Sequence, residues 1–115
     1  MKKITGYRLL AASLLLSFSA LSSSVFADNS PRPGDQTVSQ VCSVCHGTGL
    51  MGAPKIGDAD AWKPRLQRAG SIDGLVESAE HGRGNMPPRG GVSRLTDADL
   101  KAAIQYMLSK SGVAS

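Results

Sequence analysis

The sequence predicts an all-α fold, with about four short helices wrapped around one covalently held prosthetic group. Three observations predict it. Apolar residues recur at helical spacing in several separate stretches, and none alternates convincingly as a strand does. Gly and Pro cluster between those stretches. Cys42-Ser43-Val44-Cys45-His46 sets two thiols two residues apart with a histidine directly after. That is the spacing for haem attachment: the thiols can form thioether bonds to the porphyrin edge, and His46 can place an imidazole nitrogen on the iron.

Three other chemistries use such a pair. A Cys42–Cys45 disulfide suits an oxidising compartment. A thioredoxin-like redox pair needs a strand–helix–strand setting. Zinc needs more soft ligands, and the chain has no further Cys and only one other His, His81. Haem is the reading the motif favours.

Residues 1–27 read as a cleaved secretory signal peptide. Lys2, Lys3 and Arg8 precede an apolar run from Leu9 to Ala20, and Val25-Phe26-Ala27 suits signal peptidase. The bacterial periplasm is the expected location. An uncleaved anchor is the alternative, but Ser13, Ser17, Ser19 and Ser22 to Ser24 dilute the apolar run. No membrane insertion is expected after cleavage. The signal takes three of the 13 basic residues and none of the nine acidic ones, so the precursor's net charge of +4 is no argument for nucleic-acid binding. Only Trp62 and Tyr106 remain as aromatic residues beyond it. A domain this small buries only about 60–65% of its unfolded surface. Haem, a flat apolar plate, is expected to complete the core.

Residues 28–35, with Pro31, Pro33 and Gly34, read as a flexible arm, and residues 36–112 as the folded domain. Gln36 to Cys45 predicts the first helix, because Val38, Val41, Cys42 and Cys45 run i, i+3, i+4, i+7. Gly47 to Gly57 is loop. A ligating His usually gives its other N–H to a carbonyl, and one in this loop, such as that of Pro54, can serve; a plain surface turn is the alternative. Asp58 to Ala69 predicts a second helix capped by Asp58 or Asp60 and ended by Gly70. Ser71 caps a third, through Glu80 or His81, with Leu75, Val76 and Ala79 inward. Residues 81–92 form a second irregular loop. Thr96 opens the last helix in a Thr-x-x-Asp arrangement with Asp99. Leu100, Ala103, Ile104, Met107 and Leu108 form its apolar stripe, and Gly112 ends it.

An iron with one axial His needs a ligand on its other face. Met51 follows His46 too closely to come round the haem edge, and Met107 lies on a core stripe. Met86 sits in the second loop, stiffened by Pro87 and Pro88 and relieved by Gly82 and Gly84. His81 is the runner-up; a helix-end role on the last carbonyls suits it better. His46 and Met86 together fill both axial positions, which raises the haem potential and leaves no open site for a substrate.

The sequence resembles the class I c-type cytochromes, and among them the small bacterial monohaem cytochrome c-five family. The resemblance spans about residues 36–110. It rests on Cys42-Ser43-Val44-Cys45-His46, Gly52-Ala53-Pro54-Lys55, Ala61-Trp62-Lys63-Pro64-Arg65, Asn85-Met86-Pro87-Pro88-Arg89-Gly90 and Thr96 to Met107. It implies a haem-enclosing bundle whose first and last helices cross, with His46 and Met86 as axial ligands. The Pro54 carbonyl would stand behind His46, and Trp62 and Arg65 near a haem propionate. Many members carry a second Cys pair just after the Met-Pro-Pro-Arg-Gly segment; Val92 and Leu95 stand there instead.

The expectation is therefore a soluble periplasmic one-electron carrier, not an enzyme, with one covalent haem c cycling between Fe2+ and Fe3+. Its partners would be redox proteins of a respiratory chain, such as a cytochrome reductase and a terminal oxidase or peroxidase. It would act as a monomer or weak dimer. Arg83, Arg89 and Arg94, in a segment without acidic residues, would offer a positive docking collar, unless they are only solubilising surface charges. A gas-binding or peroxidatic haem protein is the rival if Met86 is not on the iron. A thiol–disulfide module without haem is the third reading.

Overall fold

The computed structural model describes residues 30–114; the expected signal peptide lies outside the described residues. Helix α1 is continuous through three pieces, Gly34–Thr37, a wider π-helical turn Val38–Cys42, and Ser43–His46. It begins inside the stretch read as a flexible arm. The arm is also tied down, since Arg32 N–H donates to Asp99 Oδ1 at 2.7 Å. Pro33 supplies a carbonyl that accepts from Thr37 N–H. The extra residue of a π turn re-aims side chains, and such turns concentrate at functional sites. Here it runs into the Cys42–His46 motif, ending on its first cysteine.

Helix α2 spans Ala59–Ala69 and α3 spans Ile72–His81. Asp58, not Asp60, caps α2, accepting from Ala61 N–H at 3.1 Å. Pro64 lies inside α2. The carbonyl it leaves without an intrahelical donor belongs to Asp60, an exposed residue where water can serve. Gly70 turns the chain with φ 78°, and Ser71 Oγ accepts from Gly74 N–H to start α3. Helix α4 spans Asp97–Lys110. Its capping box is complete: Thr96 Oγ1 accepts from Asp99 N–H and Asp99 Oδ2 from Thr96 N–H. At its far end Gly112, with φ 67°, closes a Schellman turn in which Val113 N–H donates to Leu108 O. Val113 is buried, so the fold runs just past the boundary drawn at 112.

The core is built on α4. Leu100, Ala103, Ile104, Met107 and Leu108 are all at most 5% exposed, joined by Val38, Val76, Ala79 and Leu95. α1 packs across α4 at Gly34. A Cβ on Gly34 would strike the Ala102 carbonyl, so the two backbones are in contact there. Val92 and Leu95 pack on the core, with Leu95 N–H donating to Val92 O at 3.0 Å. An apolar turn thus occupies the place where the resemblance suggested a cysteine pair.

Asp99 joins the N-terminal arm to α4. The Thr96 N–H, and then the Arg32 N–H, hold its carboxyl below the usual carboxylate range. A depressed folded pKa stabilises the fold above the unfolded value and loses that contribution as pH falls through the folded value. Asp99→Ala should therefore cost about 1.5–3 kcal/mol at pH 7. The gap to the parent should narrow below about pH 4. Urea unfolding at pH 7 and pH 3 measures both; an equal gap at the two values would detach Asp99 from the acid limb.

Candidate haem site

One cavity of about 530 Å³ opens between the helices, within the range of about 300–1,000 Å³ usual for cofactor sites. Val41, Leu75, Ala79, Leu100, Ile104 and Met107 give it apolar walls. Cys42, Cys45, His46, Pro54, Trp62, Arg65 and Met86 all line it. The fold thus brings these seven residues to one cavity.

Cys42 and Cys45 are not joined as a disulfide, and both line the cavity. Burial pushes the Cys42 thiol up to about 11. Among the described residues no three His, Cys, Asp or Glu side chains gather as a metal cage, so the pair has no zinc partners.

His46 is 7% exposed, and its Nδ1 lies 2.8 Å from the Pro54 carbonyl oxygen. A carbonyl only accepts, so Nδ1 is the donor of this bond and Nε2 is the ring nitrogen left to face another partner. The loop is held in that posture by Ile56 N–H, which donates to His46 O at 2.8 Å. Ser111 Oγ anchors its far end by accepting from Gly57 N–H.

Trp62 stacks on the His46 ring, with centroids 5.6 Å apart and planes 23° apart. Its indole N–H donates to Lys55 O at 3.1 Å. That is the only donor an indole has, so Trp62 meets the cavity with its ring. It is a wall that packs on His46. Arg65 donates to Ala61 O at 2.7 Å and Gly52 O at 3.2 Å, pinning the loop to α2 beside the cavity. Arg65, Arg68 and Arg83 are the charged residues of the lining, and no acidic residue joins them. The site's electrostatics suit a group bearing carboxylates.

Met86 is half-buried at the end of a tight turn. Arg83 and Met86 exchange both backbone hydrogen bonds at 3.0 Å, with Gly84 and Asn85 between them. Asn85 Nδ2 donates to Met51 O at 3.1 Å, linking the two loops across the cavity mouth. The sequence offered no clue to that link, because it joins two irregular segments. His81 does not line the cavity; its Nδ1 lies 3.0 Å from Glu77 O on the last turn of α3. Arg89 is no free collar charge: it is paired with Glu80 and Asp97.

Residues 29–107 match the family described as cytochrome c oxidase, cbb3-type, subunit III. Cytochrome c5 of Azotobacter vinelandii is 47% identical over 76 residues, 66% of this chain and 92% of the relative. The chain belongs to the small monohaem class I cytochromes c. Cytochrome c-555 of Chlorobaculum tepidum is 37% identical over 115 residues, 96% of this chain and 99% of its own length. Among solved structures, the cytochrome c chain in a crystal structure of an electron-transfer complex of nitrite reductase with cytochrome c aligns with a TM-score of 0.62. It shares 40% identity, covering 68% of this chain and 93% of that one. The cofactor is one covalent haem c with its iron. The paired thiols, the oriented imidazole and the apolar walls fit it. Among the described residues no helix is long and apolar enough to cross a membrane.

Proposed function

We propose that this cytochrome is a periplasmic one-electron carrier in which His46 and Met86 are the axial ligands of the haem c. The observation that carries the reading is the His46 Nδ1–Pro54 carbonyl bond, which leaves Nε2 as the nitrogen available to the iron, in a cavity that Met86 also lines. When bound, the haem supplies a one-electron Fe2+/Fe3+ couple. The residues supply the rest. Pro54 and Trp62 fix the imidazole, and the carbonyl raises its basicity. The apolar walls exclude water. Two protein ligands leave no open position for a substrate, which supports a carrier and not an enzyme.

Residues 1–27 are, on this reading, a signal peptide removed at export. Val44, Leu50, Met51 and Arg83 all line the cavity. An apolar rim with a positive charge suits a small, brief contact with a redox protein carrying acidic groups. A cytochrome reductase and a terminal oxidase or peroxidase are such partners. Likeness to a cytochrome c crystallised with nitrite reductase supports a redox-protein partner. Such weak contacts suit a monomer or weak dimer.

The test is the visible spectrum of the exported protein, ferric and ferrous, with denaturation to check haem retention. Haem that stays on the unfolded chain, together with a sulfur-to-iron charge-transfer band in the ferric form, is the expected result. Retained haem without that band would remove the His46/Met86 assignment and favour an open, gas-binding iron.

A further inference from the structure

Arg89 lies in a segment that folds back on itself. Its φ of 53° and ψ of 31° are left-handed, and Gly90 and Gly91 follow with φ 63° and 83°. Glycine takes this region freely, whereas an arginine there is strained. Strain persists only where the surroundings over-determine it. They do so here. Nη1 donates to Leu95 O at 2.6 Å, and Nη2 lies 2.8 Å from both Glu80 Oε1 and Asp97 Oδ1. The side chain is only 22% exposed. One guanidinium thereby ties the Met86 loop to the last turn of α3, the first turn of α4 and the strap before α4. The planar fork makes three contacts at once, which a lysine ammonium cannot arrange in this geometry. On the opposite flank the loop is held by the Asn85–Met51 bond.

We propose that Arg89 is a positioning residue that keeps Met86 in place on the iron side of the cavity, by clasping its loop shut between Glu80 and Asp97. This rests on Met86 being an axial ligand. An external ligand can take that position only while the loop is open, so its apparent affinity scales with the open fraction. The clasp keeps that fraction small. Losing it should raise the affinity of a competing ligand in proportion, without moving His46.

The test is imidazole titration of the ferric holoprotein, read from the haem absorbance. Arg89→Gln should bind imidazole at least about tenfold more tightly than the parent, since charged hydrogen bonds are lost. Arg89→Lys should fall between the two. Lys101→Gln serves as the control. It removes the Lys101–Asp73 pair, 2.8 Å long, that also joins α3 to α4 but does not touch the loop. It should stay within about twofold of the parent, as expected for an exposed pair. If Arg89→Gln also stays within twofold, or if Lys101→Gln shifts as far, the clasp is overturned. Should Arg89→Gln not fold, Glu80→Gln carries the same test: tighter imidazole binding supports the clasp and an unchanged affinity overturns it. A parent without the sulfur-to-iron band removes the Met86 ligation and the clasp with it. A parent with the band and an unresponsive Arg89→Gln removes the clasp alone.

Discussion

Gly34→Ala is expected to lower the stability of the holoprotein by about 1–3 kcal/mol, in the range of overpacked contacts. Two effects oppose each other at this position. Alanine is the better helix former, worth about 0.5–1 kcal/mol over glycine. Against that, the new Cβ would strike the carbonyl oxygen of Ala102 and come within 3.2 Å of Tyr106 Cβ. The struck atom is backbone in the middle of α4, where intrahelical hydrogen bonds hold it, so it cannot swing aside as a side-chain tip can. Either α1 must move off α4 or the crossing must open, and both separate apolar surface that is now buried. Steric cost therefore outweighs propensity. For a domain of this size the loss should lower Tm by roughly 4–8 °C per kcal/mol. The check is thermal or denaturant unfolding followed at the haem band. The spectrum of the folded protein should not change, because Gly34 does not line the cavity. An unchanged or raised midpoint would mean that the crossing is looser than the contact implies.

That glycine shows where sequence reasoning ends. Next to Pro31 and Pro33 it read as part of a flexible arm, since its partner Ala102 lies far along the chain and no local pattern announces the contact. The last helix was legible for the converse reason. Its capping box, apolar stripe and terminal Gly112 all lie within one contiguous stretch and obey one period. The haem motif was legible because covalent attachment compresses its chemistry into Cys42 to His46. The bond from His46 to Pro54 was accessible as a need, an N–H wanting a carbonyl, with the resemblance naming the partner. Arg89 was misread as a free docking charge. Its own segment holds no acid, and both of its carboxylate partners come from helices outside that segment. Trp62 was expected near the haem and does line the cavity, but its hydrogen-bond partner was not legible. Which way an indole N–H points depends on the path of the Lys55 backbone, which spacing does not encode.

Met86→Ala should abolish the sulfur-to-iron band of the ferric protein while leaving the haem attached through Cys42 and Cys45. The reduction potential should fall by on the order of 0.1 V or more, a part of the ~0.8 V that axial ligands command. A thioether is a soft donor that favours the ferrous state, so its loss favours the ferric one. The ferrous variant should also take up carbon monoxide, which the parent, with both positions filled, should resist. The fold should survive. Met86 is half-buried and the reciprocal Arg83–Met86 backbone bonds do not need its side chain, so the cost should lie below the roughly 2–5 kcal/mol of a fully buried Met→Ala. Far-ultraviolet circular dichroism separates a ligand effect from unfolding. Met51 and Met107 also line the cavity, so a band that survived in Met86→Ala would move the sulfur to one of them. Met107 is 3% exposed and packed into the stripe of α4, while Met51 is 67% exposed on the loop that leads away from His46. Neither is free to approach the iron without repacking α4 or folding that loop back. Met86 alone comes from a separate loop, on a turn that Arg83, Asn85 and Arg89 hold closed over the cavity.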